Sequence, residues 1–239
     1  MKFKKIIALD NIELHDESIG KIKSLGEEFI GFDSVSKSTQ DTINRIKDAD
    51  CVLMSFRSEI KKEVLTHCKN LKYIGLVCTT KNGVKEIDND KISITNIFDY
   101  CEDGTAEYVF YQLLKHIREQ DKPTELFNKT LGVIGFGAVG KTVANIAKGF
   151  GMKVLYNNIE KVETFAKFKN KEDLIQESDI ITLHTPQNVK VLDKNDFNLI
   201  TEGKILVNIT LGAAYEDNDF LEWINKNENV VIMDACPST

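Results

Sequence analysis

The sequence predicts an α/β chain built on parallel sheets, and three observations carry that expectation. Short apolar runs alternate with helical patterns along nearly all of the 239 residues. The stretch Leu131 to Asn158 packs the same alternation into one unit of strand, glycine turn, helix and strand. The composition is that of an ordinary globular chain, with 42% apolar residues, 28% charged residues and three prolines. Strict alternation of short β and α elements implies a parallel sheet covered on both faces, whose ligands sit beyond the C-terminal strand ends.

In chain order, strands are predicted at Phe3–Leu9, Glu28–Phe32, Cys51–Ser55, Tyr73–Val77 and Ile92–Thr95. Helical patterns fall between them near Ile12–Leu25, Gln40–Lys47, Lys61–Cys68 and Val84–Asn89. The loops at the ligand-facing strand ends are then Asp10-Asn11, Phe56-Arg57-Ser58 and Cys78 to Asn82. Asp103 to Glu119 is the longest helical pattern, with Ala106, Val109, Phe110, Leu113, Leu114 and Ile117 as its apolar stripe; Asp121-Lys122-Pro123 ends it. This helix is expected to cross between two domains, residues 1–98 and 99–239. After the glycine unit come a strand at Ile180–Leu183, a helix at Asp193–Leu199, a strand at Ile205–Asn208, a helix at Glu216–Asn225 and a strand at Val230–Met233.

The glycine unit carries the chemistry. The apolar run Leu131–Ile134 leads into Gly135-Phe136-Gly137-Ala138-Val139-Gly140, and a helix follows with Val139, Val143, Ile146 and Ala147 on one face. Gly135 allows a tight turn, Gly137 lets phosphates approach the backbone, and Gly140 lets helix and strand pack closely. A dinucleotide pyrophosphate is thus expected on the helix N-terminus. The second strand, Val154–Tyr156, ends at Asn157-Asn158, where an acidic residue would normally accept the ribose hydroxyls and repel a 2′-phosphate. Asn158 keeps hydrogen bonding and loses the charge, so NAD and NADP both remain open; nearby Lys161 does not choose between them. The plainer reading is that the two asparagines form the turn.

A formal charge of −6 gives no reason to expect nucleic acid or an anionic membrane as partner. The start MKFKKIIALD is basic, but Asp10 ends its apolar core too early for a signal peptide, and no run approaches transmembrane length. The five cysteines, Cys51, Cys68, Cys78, Cys101 and Cys236, lack metal-ligand spacing, so no metal is expected and a reducing, cytoplasmic compartment is.

Several motifs in order resemble the D-isomer-specific 2-hydroxyacid dehydrogenase family, in particular its glycerate dehydrogenase and hydroxypyruvate reductase branch. They are LKYIG at Leu71–Gly75, ITN at Ile94–Asn96, TAEYVFYQLL at Thr105–Leu114, GFGAVGKTVANIAKGFGMKV at Gly135–Val154, LHTP at Leu183–Pro186 and EGKILVNI at Glu202–Ile209. The resemblance implies a flavodoxin-like N-terminal domain, a Rossmann-type doubly wound sheet and an active site in the cleft. It also implies hydride transfer between a nicotinamide and a small 2-hydroxy or 2-keto acid. On the matching positions, Gly135 to Gly140, Asn158, His184, Thr185, Pro186 and Thr210 would contact the cofactor, and Cys78, Thr79 and Thr80 the substrate; Arg57, from its place on a strand-end loop, is a further substrate-binding candidate.

The family's catalytic set is another matter. Its arginine lies in an N-T-x-R-G pattern; here the segment reads Asn208-Ile209-Thr210-Leu211-Gly212, so Leu211 stands at the arginine position. Its glutamate and histidine lie beyond the strand containing Asp234, in a tail that would also supply a last strand and a returning helix. The substrate loop has Cys78-Thr79-Thr80-Lys81-Asn82, with no glycine before Gly83, and the arm between Arg118 and Leu131 that often builds a dimer is short. A homo-oligomer is compatible with the sequence but not implied by that arm.

Among His15, His67, His116 and His184, only His184 lies near the expected cofactor, and as part of the loop framework rather than as an acid. Arg57 reads as a solvated arginine or a carboxylate anchor, Glu107 as a positioning residue near the nicotinamide, and Trp223 as core. Three readings follow: an oxidoreductase with a degenerate or rebuilt site, a catalytically silent dinucleotide-binding regulatory or interaction module, or a shortened form of a once complete enzyme.

Overall fold

The computed structural model describes residues 2–98, 100–226 and 229–234, and its chain falls into two compact units, one up to Tyr100 and one from Cys101 onward. The first unit holds β1 (Phe3–Ala8), α1 (Asp16–Ser24), β2 (Gly26–Gly31), α2 (Thr39–Ile46), β3 (Cys51–Met54), β4 (Tyr73–Leu76) and β5 (Ser93–Asn96). All pairings are parallel and the strand order is β2-β1-β3-β4-β5, the flavodoxin-like order. Ile7, Val52, Met54 and Ile74 are fully buried at its centre because strands covered on both faces present apolar side chains to both.

The second unit holds α3 (Glu102–Arg118), β6 (Thr130–Ile134), α4 (Ala138–Gly149), β7 (Lys153–Asn157), β8 (Lys167–Phe168), α5 (Lys171–Glu177), β9 (Ile180–Leu183), α6 (Lys194–Leu199), β10 (Ile205–Asn208), α7 (Asp217–Ile224) and β11 (Val230–Met233). Its parallel sheet runs β11-β10-β9-β6-β7-β8, so that counting from β6 gives the doubly wound order 3-2-1-4-5-6 with the switch between β6 and β9. The stripe Ala106, Val109, Phe110, Leu113 and Ile117 of α3 packs in one core with Val143, Ala144 and Ala147 of α4, and Phe110 stacks on Phe150 at 5.2 Å.

Several sequence expectations are corrected. Lys61–Cys68 and Val84–Asn89 are not α-helices; the chain makes 3₁₀ turns at Lys62–His67 and Asn82–Val84, and in each turn only one valine, Val64 or Val84, is buried. So short an apolar anchor does not repay longer helices. The first helix starts at Asp16 rather than Ile12, and Ile12 is buried from the preceding loop. Strand β8 and helix α5 had no counterpart in the sequence reading. Two residues carry no readable period, although Asn170, whose side chain accepts the Asp173 N–H at 2.8 Å, is a capping signal. In the six-stranded sheet β8 lies on one edge and β11, Val230–Met233, on the other.

Candidate functional site

The switch between β6 and β9 is where the second unit concentrates free polar groups. Gly135, at φ +91°, turns the chain out of β6, and a Cβ there would meet the His184 carbonyl oxygen at 2.4 Å. That close approach ties the glycine turn to the Leu183–Pro186 loop, whose His184 N–H donates to the Ile134 carbonyl at 2.8 Å. A Cβ on Gly140 would lie 2.2 Å from the Gly135 carbonyl oxygen, so helix α4 comes down on the turn only with glycine there. Gly137 differs: nothing lies within 4 Å of where its Cβ would be.

Gly137 is also the N-cap of α4, and no side chain caps that end. The Ala138, Val139 and Gly140 N–H groups therefore open into the space beside Gly137 with no intrahelical acceptor. The first turn has no acidic residue to neutralise the positive end of the helix dipole. Two buried polar atoms beside the turn, His184 Nδ1 and Thr185 Oγ1, have no partner among the described residues. An open, uncapped helix N-terminus bordered by unpartnered polar atoms fits a pyrophosphate-bearing ligand.

Phe136 and Asn158 are both engaged within the turn. The Phe136 ring is buried 4.3 Å from Tyr156, and its N–H donates to Asn158 Oδ1 at 3.2 Å, so this residue builds the turn rather than the ligand surface. Asn158 Nδ2 donates to the Glu160 carbonyl at 3.1 Å, and Asn157 Nδ2 to the Lys169 carbonyl at 2.9 Å. Both asparagines are thus working turn residues, and among the described residues no carboxylate ends β7. Lys161 lies 4.7 Å over the Phe168 ring.

His184 Nε2 pairs with Thr182 Oγ1 at 2.9 Å. The residue keeps some exposure, but Nδ1 is shut off from solvent, and burial pushes the imidazole down to about 4. At neutral pH the ring is uncharged and holds no proton above its ordinary complement to give to a developing alkoxide. Thr210 also turns inward: its N–H and hydroxyl both donate to Asn208 Oδ1, at 3.1 and 2.7 Å, while Asn208 Nδ2 donates to the Tyr215 hydroxyl at 3.1 Å. Leu211 is 48% exposed in the following loop, which closes at Gly212 (φ +81°) against the Asn188 side chain. Glu107 is on the exposed face of α3, and Trp223 is buried, donating its indole N–H to the Ile200 carbonyl at 3.0 Å.

In the first unit, the strand-end loops are held by Asp10. This buried carboxylate accepts the Ser55 N–H at 3.0 Å and the Ser55 hydroxyl at 2.9 Å, and Ser55 Oγ in turn accepts the Arg57 N–H at 3.1 Å. The Arg57 guanidinium pairs with Glu13 at 2.9 Å and lies 4.8 Å over the Phe56 ring. The arginine is exposed, and this surface ion pair tethers it. Cys78 is buried with its thiol directed to the Thr80 carbonyl, and burial raises its pKa; Thr80 Oγ1 accepts the Asn82 N–H at 3.1 Å. Of the Cys78-Thr79-Thr80 side chains, only that of Thr79 is left without a hydrogen bond among the described residues. Sequence reading passed over Asp10 as a side chain; its signal was a lone acid closing the apolar run of β1.

A doubly wound sheet with an open glycine turn at its switch point defines a dinucleotide-binding α/β protein. Residues 104–236 match the model of the D-isomer specific 2-hydroxyacid dehydrogenase, NAD binding domain. The chain belongs to that family. Among curated relatives, erythronate-4-phosphate dehydrogenase of Bacteroides thetaiotaomicron is 30% identical over 236 residues, covering 92% of this chain and 65% of that protein. The chain thus spans somewhat less than two thirds of that relative's length. Hydroxypyruvate reductase of Blautia hydrogenotrophica is 25% identical, covering 94% of this chain and 80% of its own. Among solved structures, an acyclic imino acid reductase in complex with NADPH and D-Arg matches with a TM-score of 0.82 at 25% identity, covering 98% of this chain and 84% of that one.

Among the described residues, no helix is long and apolar enough to cross a membrane and no group of histidine, cysteine and carboxylate side chains could hold a metal ion.

Proposed function

We propose that this chain binds NAD or NADP on the N-terminus of α4 and serves hydride transfer on a small 2-hydroxy or 2-keto acid, from a site that has lost its anchoring arginine. The observation that carries the cofactor is the uncapped helix end with open space at Gly137. The α4 amides would hold the pyrophosphate, and the orphaned Thr185 hydroxyl and His184 ring would border the ribose on the nicotinamide side. The bound nicotinamide would supply or accept the hydride. Of the two curated relatives above, one is a hydroxypyruvate reductase and one an erythronate-4-phosphate dehydrogenase, which supports a small acid as substrate. The NAD binding domain of the matching family model and the solved complex with NADPH keep both dinucleotides in the proposal.

On the substrate side, Thr79 and the tethered Arg57 are the groups offered to an acid, and Leu211 adds none. An electrostatic donor at the reacting oxygen is worth about 10²- to 10³-fold. From a typical turnover of about 10 per second, its loss leaves as little as roughly one event per hundred seconds. Steady-state assays would miss such a rate, so the test is a single-turnover one. Protein in excess over NADH or NADPH is mixed with a panel of 2-keto acids, and loss of reduced-nicotinamide absorbance is followed. Oxidation that depends on one acid supports the reading. Binding of dinucleotide without oxidation by any acid replaces it with a dinucleotide-binding module.

The described cysteines, Cys51, Cys68, Cys78 and Cys101, are free, and burial pushes Cys51 up to about 12 and Cys68 to about 11. Inert, unpaired thiols support a reducing cytoplasmic setting; Cys236 lies outside the described residues. A homo-oligomer is part of the same proposal, to be read by light scattering.

A further inference from the structure

Asn96, the last residue of β5, holds the loop after β4 from the neighbouring strand end. Its Nδ2 donates to the Thr79 carbonyl at 2.9 Å, and the next backbone N–H, that of Ile97, donates to the Cys78 carbonyl at 3.2 Å. The Thr80 carbonyl accepts from the Cys78 thiol at 3.3 Å. Successive carbonyls of this loop are thus each turned onto a partner within the first unit. A peptide group is planar and trans, so each N–H points away from the partner of the carbonyl in its own plane. Those N–H groups belong to Thr79, Thr80 and Lys81, and none has an acceptor among the described residues.

Stability does not account for the grip of Asn96. Only its amide nitrogen can face a carbonyl, and Asn96 Oδ1 is left buried and without a partner among the described residues. A buried acceptor left unmet costs at least as much as one ordinary hydrogen bond returns. The Thr79 carbonyl, on an exposed residue, would find water if the amide were absent. What the bond does fix is the plane of the Thr79–Thr80 peptide, in a loop with no glycine before Gly83.

We propose that Asn96 is a positioning residue for the acid. By holding the Thr79 carbonyl back, it presents the Thr80 N–H of the same peptide plane to the carboxylate of a small 2-hydroxy or 2-keto acid. This rests on the proposed function, which brings the acid to Thr79, and adds the residue that shapes the loop there. Asn96 itself touches no substrate. A carboxylate on free backbone N–H groups makes charge-assisted hydrogen bonds, roughly twice as strong as neutral ones, so a misplaced peptide plane is felt in affinity rather than in folding.

The test is a titration of the ¹⁵N-labelled chain with hydroxypyruvate, and separately with glyoxylate, in the presence of NAD⁺ or NADP⁺ so that no hydride is available. Saturable shifts of the Thr80 and Lys81 amides are expected with at least one acid. Asn96→Ala should weaken that acid about tenfold, the factor for one hydrogen bond to a charged group, and leave dinucleotide affinity within about twofold. Its urea midpoint should be no lower than the parent's, since the amide returns no net stability. Asn96→Asp, which keeps the shape and exchanges the donor for an acceptor, should bind the acid no better than Asn96→Ala. An acid held as tightly by either variant as by the parent would overturn the proposal. A urea midpoint for Asn96→Ala well below the parent's would overturn it too, because the amide would then be structural. If the parent binds dinucleotide but neither acid, the small-acid reading fails and this proposal with it. Equal affinity of parent and variant for the acid, by contrast, leaves that reading standing.

Discussion

Asn158 Oδ1 accepts the backbone N–H of Phe136 at 3.2 Å, joining the end of β7 to the first step of the glycine turn. One amide thereby does structural work at the position where a carboxylate would read the ribose. Replacing it with aspartate keeps the acceptor for Phe136 and adds a charge that a 2′-phosphate must approach. Asn158→Asp is expected to bind NADH within about threefold of the parent and NADPH at least about tenfold more weakly, a loss of about 1.4 kcal/mol. Isothermal titration with both dinucleotides checks it, and equal loss of both would show that this position does not read the phosphate.

Gly137 separates binding from folding. Its φ of −77° suits any residue, and a Cβ would meet nothing within 4 Å. Gly137→Ala should unfold within about 0.5 kcal/mol of the parent, as an unobstructed surface change does. The methyl group would nevertheless stand where phosphate oxygens must reach the α4 amides, and dinucleotide affinity should fall at least about tenfold. By contrast, Gly140→Ala forces a Cβ to 2.2 Å from the Gly135 carbonyl oxygen, so it should lose stability as well, by about 1–3 kcal/mol. Urea denaturation beside a binding titration distinguishes the two.

His184 gives the second unit a pH dependence of fixed sign. Burial lowers its pKa from 6.5 to about 4, so on acidification the unfolded chain takes up this proton before the folded one does. The stability tied to the neutral ring is therefore full above pH 6.5 and is lost as pH falls toward 4. The whole loss is at most about 3 kcal/mol. His184→Gln, with no titrating ring, should show a flatter fall of the urea midpoint across that window. The His184 ring resonances of the parent should stay constant from about pH 8 to about pH 5.5; a midpoint near 6.5 would end this account.

Leu211 can be tested by restoration. It is 48% exposed, so arginine there displaces no core packing and should change stability by less than about 0.5 kcal/mol. An electrostatic donor at the reacting oxygen is worth about 10²- to 10³-fold. Leu211→Arg should raise the single-turnover rate on the best 2-keto acid by at least about tenfold. No gain, with dinucleotide binding intact, would show that an arginine at this position does not set the rate.

The sequence determined the fold class and the core strands, because apolar runs such as Leu131–Ile134 and Ile180–Leu183 are buried on both faces and admit few alternatives. It also located the glycine turn, since Gly135 and Gly140 occupy positions where backbone comes within 2.4 Å of a would-be Cβ, a constraint written directly in residue type. Tertiary structure alone decided what the polar side chains do. Asn158 turned to Phe136, Thr210 to Asn208 and Arg57 to Glu13, choices made by neighbours distant in sequence or by local turn geometry rather than by periodicity. The two-residue strand β8 exists only because β7 offers it an edge. The same holds for Ser36 and Ser58, ordinary serines in the sequence, whose hydroxyls the fold buries without a partner among the described residues. A hydrophobic pattern is a local record of burial; the partner of a hydrogen-bonding group is settled by geometry that the assembled fold creates.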